Sequence, residues 1–508
     1  ENWPLRWAQR RHKPLMPCEF SLPYFRDWFA RSARRAGSAH VNPQGTQALA
    51  TEYGAMYLGS EVYLQEPEEY LASLQSSPGN PKASRAFWRT KLLFADTLRA
   101  WRAWGISFIY HAEVPDFFAG AWIDPLTVGG RDPRRFGATP ESLAGSLQAR
   151  EEMSEFGTRV AAATAPLMAF IGGPDGRFTL KDNCFWAGEQ VRKALVVVND
   201  TDGTVRLQAG WSLRDAGGAE VRGGQLTLSV PPGRQEIERG QIEFTAPEVG
   251  ERTDYALSVQ ARSEDGSVVP VPELAITVFP RAAPQPPDPA GLVLFDPVGA
   301  TTDALQRLGL HVTPMPERLR ASDRLIIGRE ALSDAAARER LAAAGLDQAV
   351  TAGMRVLVFE QRPTSWEGML MGLRLKRIAT RHCFVRAPGH PALTGLAASD
   401  LCYLRGDSDV LAPYEEPDPA TEVYPEHFWH WGNDNIVATH TIEKPQVGAA
   451  CAVLDCGFDL AEAALLEVRR GEGALVFCQV DVTNRVGTDP VSTRLTCNLL
   501  RWLVEAAL

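Results

Sequence analysis

The chain has 508 residues, 52 of them basic and 62 acidic, for a net charge of −10, and its length suits about three domains of ~150 residues each. Apolar residues make up 45% and charged residues 22%, an ordinary globular mix, and the acidic balance argues against a nucleic-acid surface, which would need a basic stripe. No stretch approaches ~18 consecutive apolar residues, so no transmembrane helix is expected; the eight cysteines form no CxxC pair, which argues against a structural zinc site.

The first zone, residues 1–172, is rich in aromatics and helix-like. Near its start, Lys13-Pro14-Leu15-Met16-Pro17-Cys18-Glu19-Phe20 reads as a short strand ending on an acid. A carboxylate at the C-terminal mouth of a strand is where (β/α)₈ barrels keep their chemistry. Phe87 to Trp104 carries apolar residues at helical spacing, and Gly105 is a stop signal. Ile106 to Tyr110 follows as a short apolar strand, then His111-Ala112-Glu113. Strand, helical stretch and strand form a βαβ rhythm, the repeat of parallel barrels.

The second zone, 173–280, alternates strand-like runs with turns: Ala194–Val198, the turn Asn199-Asp200-Thr201-Asp202-Gly203, Val205–Leu213, Gln225–Val230, Tyr255–Ala261 and Leu274–Val278. Short strands at ~8–12-residue spacing predict an antiparallel, immunoglobulin-like β-sandwich. A Pro-rich linker spans 281–290, stiff by composition. The third zone, 291–508, holds apolar strand candidates at Gly291–Asp296, Leu325–Gly328, Arg355–Phe359 and Ala474–Val480, with helical stretches at Thr302–Leu308, Ser333–Ala344 and Thr493–Ala507. That alternation predicts a doubly wound α/β domain.

These residues carry a family likeness. The Lys13–Phe20 run resembles the seventh barrel strand of clan A glycoside hydrolases, where a glutamate-phenylalanine pair marks the nucleophile, and Gly105–Tyr110 looks like the eighth. Phe178–Asp200 resembles the start of the β-sandwich after the barrel in family 2 relatives. The third zone is similar to the glutamine-amidotransferase-like domain of family 42 β-galactosidases, and its tail, Phe477–Thr483 through Pro490, to the ends of multidomain bacterial β-glycosidases. The resemblance implies a retaining β-glycosidase, β-galactosidase-like, with Glu19 as nucleophile and no cofactor or metal. The family's acid/base glutamate sits on the fourth strand, which would precede Glu1. The expectation is therefore that the N-terminal part of the barrel comes from a partner polypeptide or from upstream sequence.

Each candidate has a structural alternative. Retaining glycosidases hold two carboxyl groups about 5–5.5 Å apart. Glu19 as nucleophile competes with a buried, ion-paired glutamate. Glu113 is open between a substrate-hydroxyl ligand, less readily the second carboxylate, and a structural or solvated carboxylate. His111 could bond sugar hydroxyls, and Trp122 and, more weakly, Tyr24 could stack on a sugar face, though aromatic residues also fill cores. The His427-Phe428-Trp429-His430-Trp431 cluster lacks a nearby acid and reads as an aromatic loop more than a metal site. In the third zone the strand Arg355–Phe359 runs into Glu360-Gln361-Arg362-Pro363 without the cysteine that amidotransferase chemistry needs. That domain is read as inactive and serving packing or homo-oligomer contacts. The expected partners are carbohydrate and the missing barrel polypeptide. Two further readings stand beside the glycosidase: a non-catalytic carbohydrate-binding or scaffolding subunit, and a self-contained hydrolase using Glu19 and Glu113.

Overall fold

The computed structural model of the chain describes residues 98–106, 155–233, 237–281, 291–362, 372–376, 380–410, 433–445, 448–456 and 462–505. Strands dominate these residues and helices are few, so the described part of the chain is β-rich and built from more than one unit. The strands expected at Lys13–Phe20 and Ser107–Tyr110, and the stretch 282–290 of the linker, lie outside the described residues. No helix among the described residues is long and apolar enough to cross a membrane.

Residues 98–104 form a helical turn that ends where the glycine stop predicts: Gly105 adopts φ 86°, a left-handed conformation glycine reaches without strain. The helix α1 (Glu155–Thr164) leads into β1 (Leu167–Gly172), which pairs antiparallel with β3 (Gln190–Asn199). The sandwich sheet thus begins ahead of the expected boundary at residue 173. On its other edge β3 pairs with β6 (Ile237–Thr245). The facing sheet runs β2 (Cys184–Trp186), β9 (Leu274–Phe279), β7 (Thr253–Ser263), β4 (Val205–Asp215), β5 (Glu220–Val230), with β8 (Val268–Val269) beside β7.

Strand periodicity decides what each face buries. Leu207, Ala209, Trp211 and Leu213 of β4 meet Tyr255, Leu257, Val259 and Ala261 of β7 in the space between the sheets, while alternate residues face out. β3 is buried on both faces. Val191, Leu195 and Val197 point into the sandwich, whereas Ala194, Val196 and Val198 are covered from outside by Ala103, Met168 and Phe178. Arg102 fastens this cover by donating to the Ala163 carbonyl at 2.6 Å and pairing with Asp200 at 2.8 Å. The predicted Asn199–Gly203 turn is an Asx turn: Asn199 Oδ1 accepts from Thr201 N at 3.0 Å, and its amide donates to the Gly203 and Val230 carbonyls.

The second unit is a mixed sheet. Its parallel half has the order β11 (Thr313–Pro314), β10 (Leu292–Phe295), β12 (Arg324–Ile327), β13 (Arg355–Val358), β19 (Gly473–Cys478), the 2-1-3-4-5 order of doubly wound folds. One face holds Leu294, Ile326, Leu357 and Val476 against α2 (Ala300–Arg307) and α5 (Pro490–Glu505); the other holds Phe295, Ile327, Val358 and Phe477 against α3 (Ala335–Ala343) and α4 (Leu346–Thr351). The expected doubly wound pattern covers only this half. Beyond β19 the sheet turns antiparallel through β18 (Glu462–Arg470), β16 (Thr441–Glu443) and β14 (Leu375–Lys376), with β17 (Ala450–Cys456) pairing β18 and β15 (Phe384–Val385). The β18–β19 hairpin turns at Gly471, φ 58°, where a Cβ would run into the Thr351 carbonyl.

The two units grip each other through polar pairs. Arg252 makes a bidentate bond to Asp400, both contacts at 2.7 Å, and Arg177 meets Asp407 at 2.6 Å. Glu189 meets Arg405 at 2.5 Å, and Asp182 accepts from the Asn435 amide at 2.7 Å. Cys184 and Phe279 of the sandwich join the apolar cluster of the α/β unit, and the Arg494 guanidinium lies over the Phe279 ring.

Candidate functional site

The sequence candidates Glu19, Tyr24, His111, Glu113 and Trp122, and the 427–431 aromatic cluster, all lie outside the described residues. Among the described residues the densest chemistry sits where parallel sheets place ligands, beyond the carboxyl ends of the strands. β10 is followed by Asp296, β12 by Gly328-Arg329, β13 by Phe359-Glu360-Gln361 and β19 by Gln479-Val480-Asp481. The crevice between β10 and β12, where strand order reverses, is occupied by the chain itself. Asp296 accepts from Gly299 N, Thr302 N and Thr302 Oγ1, and Thr301 Oγ1 accepts from Arg329 N at 2.7 Å.

Glu360, 2% exposed, is the centre of the cluster. Its Oε1 accepts from Val482 N at 2.7 Å, Thr483 N at 2.9 Å and Thr483 Oγ1 at 3.2 Å, while its buried Oε2 has no hydrogen-bond partner among the described residues. Burial pushes the carboxyl up to about 7, with Arg329 opposing and Asp481 adding to the shift. Arg329 bonds Asp409 Oδ1 at 2.5 Å; burial disfavours its charge, but the surrounding carboxylates outweigh that and raise its pKa. Asp481 pairs with Arg485 at 2.9 Å, and burial raises its carboxyl against the pull of Arg485 and Arg329. Alongside, Gln361 and Gln479 bind reciprocally: Gln361 N donates to Gln479 Oε1 at 2.8 Å, and Gln479 Nε2 to the Gln361 carbonyl at 2.9 Å. Two arginines face two aspartates and a glutamate poised near neutrality. The cluster is thus close to charge balance and fits a lock joining β13 to the loop after β19.

A reactive cysteine needs a lowered pKa, yet burial pushes Cys184, Cys402, Cys456, Cys478 and Cys497 up. Cys478 is the last residue of β19 and donates toward the Val480 carbonyl. His390 forms a histidine–carboxylate pair with Glu467 at 3.0 Å, but its Nδ1 accepts from Ala392 N, so both ring nitrogens are engaged. Burial drives His382 down to about 4, with Lys181 and Arg381 adding to the effect, and it packs edge-on against Tyr403. No group of three or more His, Cys, Asp or Glu among the described residues could hold a metal ion.

A cavity of about 270 Å³ opens on the sandwich between the 174–176 loop and residues of β3 and β6. Arg192 spans it, bidentate to Asp175 and bonded to Glu243. Buried Lys193, lowered to about 8 by desolvation, donates to the Asp182 carbonyl. The lining is charged and amide-bearing with no aromatic ring, so it lacks the flat apolar platform on which sugars stack.

The polar residues at the strand ends were missed from sequence because they lie far apart in the chain. The available signal was a polar residue directly after each apolar strand.

No protein-family model matches the chain, and no curated protein matches it. Solved structures similar to it include two glycoside hydrolases. A family 123 glycoside hydrolase from Clostridium perfringens is 10% identical over 39% of this chain and 38% of its own length, with a TM-score of 0.18. A β-glucosidase from Listeria innocua, solved with glucose, is 12% identical over 22% of this chain and 16% of its own, with a TM-score of 0.16. A CARDB domain from Pyrococcus furiosus, solved with di-metal ions, is 17% identical over 22% of this chain and 91% of its own, with a TM-score of 0.16. At these TM-scores the likenesses carry no structural or chemical argument.

Proposed function

We propose that the chain is the C-terminal portion of a multidomain retaining β-glycosidase acting on β-linked glycosides. The observation that supports this reading is the order of parts. A Lys-Pro…Glu-Phe strand signature comes first, then an antiparallel sandwich, then an α/β unit in 2-1-3-4-5 order fixed to the sandwich by ion pairs. In this reading Glu19 attacks the anomeric carbon and forms a glycosyl-enzyme. A second carboxyl first protonates the leaving oxygen and then activates the water that releases the sugar. Tyr24, His111, Glu113 and Trp122 supply sugar contacts. The second carboxyl and the other barrel strands come from further polypeptide, and β-galactosides lead as substrate. The α/β unit is read as amidotransferase-like and inactive, because the strand Arg355–Phe359 runs into Glu360-Gln361-Arg362-Pro363 without a cysteine.

The test is turnover of a panel of aryl β-glycosides by wild type, Glu19→Ala and Glu113→Ala, with and without the upstream barrel polypeptide. Wild type should turn over only with that polypeptide, Glu19→Ala should abolish turnover, and Glu113→Ala should mainly raise KM. Turnover that survives Glu19→Ala refutes the nucleophile assignment. Sugar binding without turnover in every combination would favour the non-catalytic carbohydrate-binding reading.

A further inference from the structure

We propose that Cys383 and Cys456 form a reversible cross-strand disulfide, a redox-modification site in the α/β unit. β15 and β17 run antiparallel with Phe384 opposite Asp455 and Val385 opposite Leu454. One step further along this register sets Cys383 opposite Cys456. The backbone hydrogen bonds fix the kind of pair. Arg386 N donates to the Val453 carbonyl at 3.0 Å, whereas Cys383 N turns away from β17 to the Leu401 carbonyl at 3.0 Å. Bonded and unbonded pairs alternate along such a ladder, so the cysteines occupy an unbonded pair, with Cα atoms about 4.5 Å apart and side chains closest. That spacing falls within the roughly 4.4–6.8 Å a disulfide spans. Directly opposed side chains leave the same face of the sheet, and both thiols are buried in one apolar cluster with Cys478. Both are free thiols here, and Cys383 is a side-chain hydrogen-bond neighbour of Cys456.

The oxidant is a low-molecular-weight disulfide of the glutathione class. Once β15 opens and water reaches the pair, one protein thiol ionises, attacks this disulfide as the thiolate and releases a glutathione thiolate. The second protein thiolate then attacks the protein sulfur of the mixed disulfide and releases the other glutathione. Two protein thiols give up two protons and two electrons, and one glutathione disulfide becomes two thiols. Access comes from opening of β15, which is two residues long and has β17 as its ladder partner. The bond would close the segment from 383 to 456. That segment carries Asp400, Arg405, Asp407 and Asn435, which grip the sandwich, and Asp409 of the carboxyl-edge cluster. Oxidation state would then set how firmly that interface is held.

The full chain is equilibrated in glutathione buffers from reducing to oxidising, alkylated under denaturing conditions, digested and examined by mass spectrometry. A Cys383–Cys456 linked peptide should form in oxidising buffer, disappear with dithiothreitol, persist in Cys402→Ser and be absent from Cys456→Ser. The oxidised wild type should unfold at a midpoint higher by about 5 °C or more than the reduced protein, on chain-entropy grounds. Full alkylation of both thiols in oxidising buffer overturns the proposal. So does a linked peptide joining Cys383 to Cys402, its neighbour through the His382–Cys402 bridge. The wild-type measurement stands whether or not a variant folds.

Discussion

Replacing Glu360 with glutamine should flatten the pH dependence of stability that this carboxyl imposes. In the folded chain burial holds Glu360 at about 7, against roughly 4.3 for an unfolded glutamate. The folded state therefore binds more protons than the unfolded state between those values, and stability falls as pH rises through that window. At about 1.36 kcal/mol per unit, the full shift corresponds to about 4 kcal/mol, an upper figure because the surroundings relax. The contribution is fully present below about pH 4.3 and lost once pH has risen past about 7. Glutamine keeps an oxygen for Val482 N and Thr483 N but cannot ionise. Denaturant unfolding of wild type and Glu360→Gln from about pH 5 to pH 8 isolates the effect of Glu360 and its coupling to Asp481, because the carboxyls not coupled to it cancel in the difference. The variant should lose ground relative to wild type at the acid end and gain it at the alkaline end, by about 1–3 kcal/mol across the range. A wild-type-minus-variant difference that stays constant with pH would refute a neutral, buried Glu360.

Arg252→Ala should destabilise the join between the two units by about 3 kcal/mol, because it strands the fully buried Asp400 carboxylate without its bidentate partner. Limited proteolysis between the units and unfolding midpoints check this; unchanged cleavage would mean the pair is incidental. Gly471→Ala should cost about 2 kcal/mol or more, since the hairpin needs φ 58° there and the new methyl would meet the Thr351 carbonyl. A thermal midpoint equal to wild type would count against a left-handed, tightly covered residue at that turn.

Much of the fold was legible where one physical rule decided the matter. The period-2 runs of β4 and β7 each face one core, and the short apolar runs of β10, β12, β13 and β19 are buried on both sides, so pattern and structure agree. The expected strands did not include β6 and β18, for different reasons. In β6, Gln241 and Glu243 stand exposed between buried Ile242 and Phe244, and the charges around them resemble a solvated turn. β18 (EAALLEVRR) is composed of good helix formers, yet it lies between β19 and the β16–β17 side of the sheet, where pairing and burial override propensity. The carboxyl-edge cluster was invisible for a third reason. Glu360 meets Val482 and Thr483 only because β13 and β19 are neighbours, and no local pattern announces a pairing across so long an insertion.

That insertion shapes how the molecule comes together. β10, β12 and β13 can pair with one another early, but β13 must wait for β19, which follows the entire antiparallel half in the chain. Until then the sheet presents an open, apolar edge at β13 and, lacking α5, a face covered only by α2. Such edges invite pairing with other chains. Synthesis that halts anywhere between β13 and α5 would yield a product prone to aggregate, so residues 473–505 act as the closing piece that makes the earlier ones safe in water.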